Sequence, residues 1–152
     1  MNRNLSVLGL WVAALFLLAG GLAMGAEPGA LSLQAQLVWG TDGAKPNDPK
    51  LRDLDPALKK KLAGVFKWKD YYEVDRQMIT VPMSSKKRVR MSPKCDVEVD
   101  NLGDSMVEVK LFGEGKLVVK KKQALKPEEL LVLAGDDKDN TAWFVVLSRP
   151  KR

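Results

Sequence analysis

Histidine is absent from all 152 residues, and cysteine occurs once, at Cys95. The first absence removes the commonest general base and the commonest metal ligand together, and with them any Ser-His-Asp or Cys-His arrangement. The second leaves the chain without an internal disulfide framework or a thiolate set for structural zinc. No tandem repeat or low-complexity tract is visible, and the tripeptide Lys-Thr-Gly does not occur. Ser84 and Lys87 have the Ser-x-x-Lys spacing of penicillin-recognising enzymes, but those enzymes need a Lys-Thr-Gly strand and set the motif at the start of a buried helix. Here it falls in a proline-flanked, lysine-rich turn. Asp136, Asp137, Asp139 and Asn140 suggest a calcium loop, yet counting from Asp137 puts Ala142 where the loop needs glycine, and the distal glutamate is missing. A hairpin turn accounts for them. No catalytic residue, metal ligand or cofactor is expected.

What is present is an ordinary globular composition, 45% hydrophobic and 29% charged, with a formal charge of +6 and a pI near 9.4. Basic balance favours anionic partners. At the N-terminus Arg3 precedes an uncharged run from Leu5 to Ala23, and small residues follow at Gly25 and Ala26. That is the pattern of a secretory signal peptide over residues 1–26, cut after Gly25 or Ala26. The run also approaches the roughly 20 residues that span a bilayer, so an uncleaved anchor is the alternative. Either way residues 27–152 are expected to form one exported β-rich domain, periplasmic or extracellular, stabilised by packing alone.

Residues 31–38 alternate, with Leu31, Leu33, Ala35 and Leu37 on one face and Ser32, Gln34 and Gln36 on the other, which predicts a half-buried strand. The Gly, Pro, Asp and Asn of residues 39–53 predict a loop. Asp55-Pro56 then supplies a cap and a first-turn proline for a short helix near residues 56–64, with Leu58, Leu62 and Val65 on its apolar face. From Phe66 the period becomes two: Phe66, Trp68, Tyr72 and Val74 share the expected core face, and Lys67, Lys69, Tyr71 and Glu73 share the other. The last sixty residues read as hairpins. A three-residue loop at Leu102-Gly103-Asp104 would set Val99 opposite Val107, Val97 opposite Val109 and Asp96 opposite Lys110. A second loop at Gly113-Glu114-Gly115 would set Leu111 opposite Leu117 and Glu108 opposite Lys120. Residues 129–135 and 141–148 are more continuously apolar, as expected for central strands covered on both faces or strands packed beneath the helix. About seven or eight strands and one helix predict an antiparallel β-sandwich or open barrel.

Two candidate surfaces follow. Around Cys95, the stretch "SSKKRVRMSPKC" carries Lys86, Lys87, Arg88, Arg90 and Lys94. Val89 and Met91 alternate with Arg88 and Arg90, which predicts a basic strand edge, with Cys95 on the apolar face of Val97 and Val99 as an unreactive thiol. The other surface is aromatic: Tyr71 facing out, with Lys67, Lys69 and Glu73 beside it, as a stacking site for a sugar. Asp96, Glu98 and Asp100 line one strand face and could supply a glycosidase pair, but acids alternating on a wet strand read more simply as solvated ladder pairs.

The segments "LVWGTDG", "VFKWKDYYEV" and "KLVVKKKQAL…LLVLAGDDKDNTAWFVVL" resemble small exported β-rich proteins of Gram-negative bacteria that carry no assigned function. The resemblance implies an envelope location and supplies no catalytic or binding residue. The expected function is an exported, non-enzymatic binding or structural domain whose lysine- and arginine-rich faces contact an envelope protein or anionic surface. The alternative is a carbohydrate-binding or carbohydrate-cleaving module. Export disfavours nucleic acid, and membrane contact is expected only through an uncleaved N-terminal segment.

Overall fold

The structure, a computed structural model, describes residues 27–136 and 139–150. The expected signal segment and Asp137 lie outside the described residues. The elements are β1 (Leu31–Thr41), β2 (Arg52–Asp53), α1 (Pro56–Ala63), β3 (Asp70–Val81), β4 (Lys86–Ser92), β5 (Cys95–Gly103), β6 (Met106–Gly113), β7 (Lys116–Ala124), β8 (Leu130–Asp136) and β9 (Thr141–Ser148). They make two antiparallel sheets, one of five strands in the order β2-β3-β1-β9-β8 and one of four in the order β4-β5-β6-β7. The sheets face each other as a sandwich and do not close into a barrel.

Alternation decides the main core. Leu31, Leu33, Ala35 and Leu37 of β1 meet Val97 and Val99 of β5 and Val107 and Val109 of β6, all fully or nearly fully buried. A second core lies on the opposite face of the five-stranded sheet, where α1 covers Val38, Tyr71, Phe144 and Val146 with Leu58 and Leu62. Asp55 caps that helix, its carboxylate accepting from the Leu58 N–H at 3.0 Å, and Pro56 opens the first turn. Gly40 lets the layer close, because a Cβ there would stand 2.9 Å from both Phe144 and Trp68.

Three element bounds differ from expectation. Val65 is 77% exposed, since α1 ends at Ala63 with Gly64 as its cap, two residues before Val65 would join the apolar face. β1 runs on through Trp39, Gly40 and Thr41, which were expected in a loop, because β3 and β9 pair with it on both sides. Phe66–Lys69 form the irregular return from α1, and β3 starts at Asp70.

The hairpins are displaced by two residues from the expected registers. Both use two-residue turns, Asp104-Ser105 and Glu114-Gly115, with φ of 50°, 63°, 49° and 80°. Positive φ at both central residues is the type I′ requirement, which the right-handed strand twist favours over a wider loop. A register break then follows each turn, between Asn101 and Gly103 and between Leu111 and Phe112, and beyond it Val99 faces Val109, Val97 faces Leu111, Glu98 faces Lys110, and Glu108 faces Lys122. Beyond the breaks a shift of two keeps side chains on their expected faces and changes their partners; on the turn side Leu117 pairs with Phe112 instead of Leu111 and is 53% exposed, off the core face expected for it.

Candidate functional site

The aromatic surface expected at Tyr71 is reversed in exposure. Tyr72 and Val74 do share the sandwich-facing side of β3, with Tyr71 and Glu73 on the other, but that other side lies beneath α1. Tyr71 is 1% exposed, with its hydroxyl 3.5 Å from the Leu62 carbonyl, and burial pushes its phenol pKa up. Lys67 sits over the Trp68 ring at 4.6 Å, and Lys69 is anchored through its backbone N–H to Asp42. Period-two alternation separates two faces without saying which is wet; here both are covered.

Glu73, expected beside Tyr71 on the surface, is 2% exposed and fully engaged. Its carboxylate accepts from Gln36 at 2.7 Å and from Arg76 at 2.7 and 2.9 Å, and pairs with Arg52 at 3.0 Å. A buried carboxylate needs this many donors to offset its lost hydration. An open cleft of about 370 Å³ runs past this network between β1 and α1, lined by Gln34, Gln36, Asp55, Lys61 and Arg76 among others. Because Glu73 already holds Gln36 and Arg76, the cleft floor offers a ligand few free donors.

The exposed aromatics are elsewhere. Tyr72, Trp39 and Trp143 are direct cross-strand neighbours on β3, β1 and β9, with ring centroids 6.3 and 6.5 Å apart and planes tilted by 33° and 40°. All three are half-buried at one end of the sandwich, and the Lys45 ammonium stands 5.1 Å above the Tyr72 ring. Trp39 was missed because the Gly and Asp after it read as a loop.

The basic strand is where the sequence placed it, at one edge of the four-stranded sheet, with Met91 buried, Val89 half-buried and Arg88 and Arg90 exposed. Its arginines are already partnered. Both reach Asp96, at 3.0 and 3.1 Å, and Arg88 also stacks 3.8 Å above the Phe112 ring. Arg90 first and Arg88 second hold the Asp96 carboxyl below the usual carboxylate range. Lys94 pairs loosely with Glu114 at 3.7 Å. On the same wet face Lys110 serves Glu98, Glu108 and Asp100 at 3.3, 3.3 and 3.5 Å, and the first two raise its pKa. Three cations thus pair with all four acids of this face.

The cations left over are lysines. Lys86 and Lys87 on β4, and Lys116, Lys120, Lys121 and Lys122 on β7, are exposed and have no acid within 4.0 Å among the described residues. β7 is the other edge of the sheet and also shows Leu117 and Val118, at 53% and 52% exposure. Its signal in the sequence was the run "VVKKKQ", in which three consecutive lysines break the alternation.

Cys95 is half-buried against the main core, and burial, with Asp96 adding to it, pushes its thiol up to about 11. Among the described residues, no group of three or more Cys, Asp or Glu could hold a metal ion, and no helix is long and apolar enough to cross a membrane. Comparison with protein-family models, curated proteins and solved structures found no match.

Proposed function

We propose that this chain is an exported, non-catalytic binding domain of the cell envelope that contacts an anionic partner through the lysines of β7. The observation that carries the reading is the imbalance on the four-stranded sheet: Arg88, Arg90 and Lys110 satisfy its acids, and the β7 lysines remain unpaired among the described residues. A cluster of solvated like charges costs some stability through self-repulsion and is relieved when an anion docks. Export rests on the apolar run 5–23 and the small residues after it. The non-catalytic reading is supported by the absence of histidine and by the commitment of Glu73 to its own donors.

Retention on a sulfated-polysaccharide resin, eluted with salt, tests this. Lys120→Glu with Lys122→Glu should elute at markedly lower salt than a control of equal net charge, Lys50→Glu with Lys69→Glu, because screening acts on a local patch and not on the total. Equal elution of the two variants removes β7 as the contact.

A second reading has its own observation, the row Tyr72, Trp39 and Trp143, which could stack sugar rings. Loss of cell-wall glycan binding in Trp39→Ala, with the β7 reversal still binding, would favour it. Retention by Trp39→Ala would dismiss it.

A further inference from the structure

Resting on the reading of β7 as the anionic contact, we infer that its partner is an extended polypeptide segment of alternating acidic and apolar residues that adds to β7 as a fifth strand. β7 is nine residues long and paired on one side only, by β6. Its register with β6 breaks beside Val118, opposite the Leu111/Phe112 step, and is regular from Val119 to Ala124. Over that six-residue run the alternate backbone N–H and C=O groups that point away from β6 form a template for another chain.

The side chains specify what that chain should carry. Lys120 and Lys122 lie opposite Lys110 and Glu108 on the wet face, so an added strand meets unpaired positive charge there at every second residue. Lys121 lies on the other face. Beside it an opening of about 290 Å³ is lined mainly by apolar residues, including Leu62, Val65, Phe66, Leu130 and Val132. Acids outward and an apolar residue inward therefore match the two faces of β7.

A second copy of the chain is a poorer occupant. Both free edges of the four-stranded sheet carry lysines with no acid within 4.0 Å among the described residues, Lys86 and Lys87 on β4 and those of β7, so pairing of edges between copies opposes like charges.

The test uses the exported chain and a ten-residue peptide alternating Glu and Val, followed by fluorescence anisotropy. Binding is expected, with amide exchange slowed across residues 119–124. Methylating alternate backbone nitrogens of the peptide should weaken affinity at least tenfold, since the charges stay and the ladder bonds go. Equal binding of the methylated peptide overturns strand addition and leaves the electrostatic contact standing. Failure of the peptide while the sulfated resin still retains the protein has the same meaning. Failure of both peptide and resin overturns the two readings together.

Discussion

In the five-stranded sheet, Glu73 is buried among Gln36, Arg52 and Arg76, and α1 closes over it; in the four-stranded sheet, Asp96, Glu98, Asp100 and Glu108 lie on an open face and share three cations. The same ion-pair chemistry has different consequences in the two places. A buried carboxylate stripped of a partner has no water to turn to, whereas a solvated one is rehydrated at little cost. Charge in the first sheet therefore belongs to the fold, and charge in the second is available for binding.

The comparison breaks first at the second core. Phe144 packs at 4.6 Å from Phe66 and 5.8 Å from Tyr71, measured between ring centroids, and is 1% exposed. Phe144→Ala should lower unfolding free energy by about 4 kcal/mol, the usual cost of truncating a buried aromatic, as read by urea denaturation. A loss below about 1 kcal/mol would mean that α1 is not a firm cover. Glu73→Ala comes next, at about 2 kcal/mol. The cost is moderated because Arg52 and Arg76 are themselves partly exposed and can rehydrate.

Asp96→Asn, the matching change on the open sheet, should cost about 0.5 kcal/mol at neutral pH. Its pH dependence has a defined sign. Arg90 and Arg88 depress the folded carboxyl below its unfolded value, so its contribution is present above the unfolded pKa, near 3.9, and is lost as pH falls through the folded one. The wild type should therefore lose more stability than Asp96→Asn as pH falls below about 4, and parallel acid curves would contradict the pairing. A last prediction concerns reactivity and not stability, at Cys95. With its thiol raised from 9.0 to about 11, the thiolate fraction at neutral pH falls roughly a hundredfold, and labelling by a thiol reagent should slow accordingly relative to the unfolded chain.

Much of the fold was legible in the sequence. Alternation in residues 31–38 and 95–111 assigns the sandwich core, and Asp55-Pro56 marks the start of α1. What alternation could not supply was the second covering layer, because helix burial on a sheet face is a tertiary fact that residues 71–74 do not carry locally. That is why Tyr71 and Glu73 were expected in water. Hairpin register was equally silent: a shift of two residues preserves the apolar match of Val97 and Val99 while changing their partners. Of the candidate site, the basic edge at Arg88 and Arg90 was readable, and its pairing with Asp96 was not, since it depends on the β4–β5 register, which sets Arg90 opposite Asp96.

On the proposed reading the β7 lysines act in binding and not in folding. The measurement that tests it most directly is the urea unfolding midpoint of Lys120→Glu with Lys122→Glu, taken on the same preparation whose elution from the sulfated resin has been measured. Earlier elution is expected, with unfolding free energy within about 0.5 kcal/mol of the wild type, as for surface changes generally. A midpoint that falls in step with elution would contradict it, because β7's charge would then be holding the sheet together.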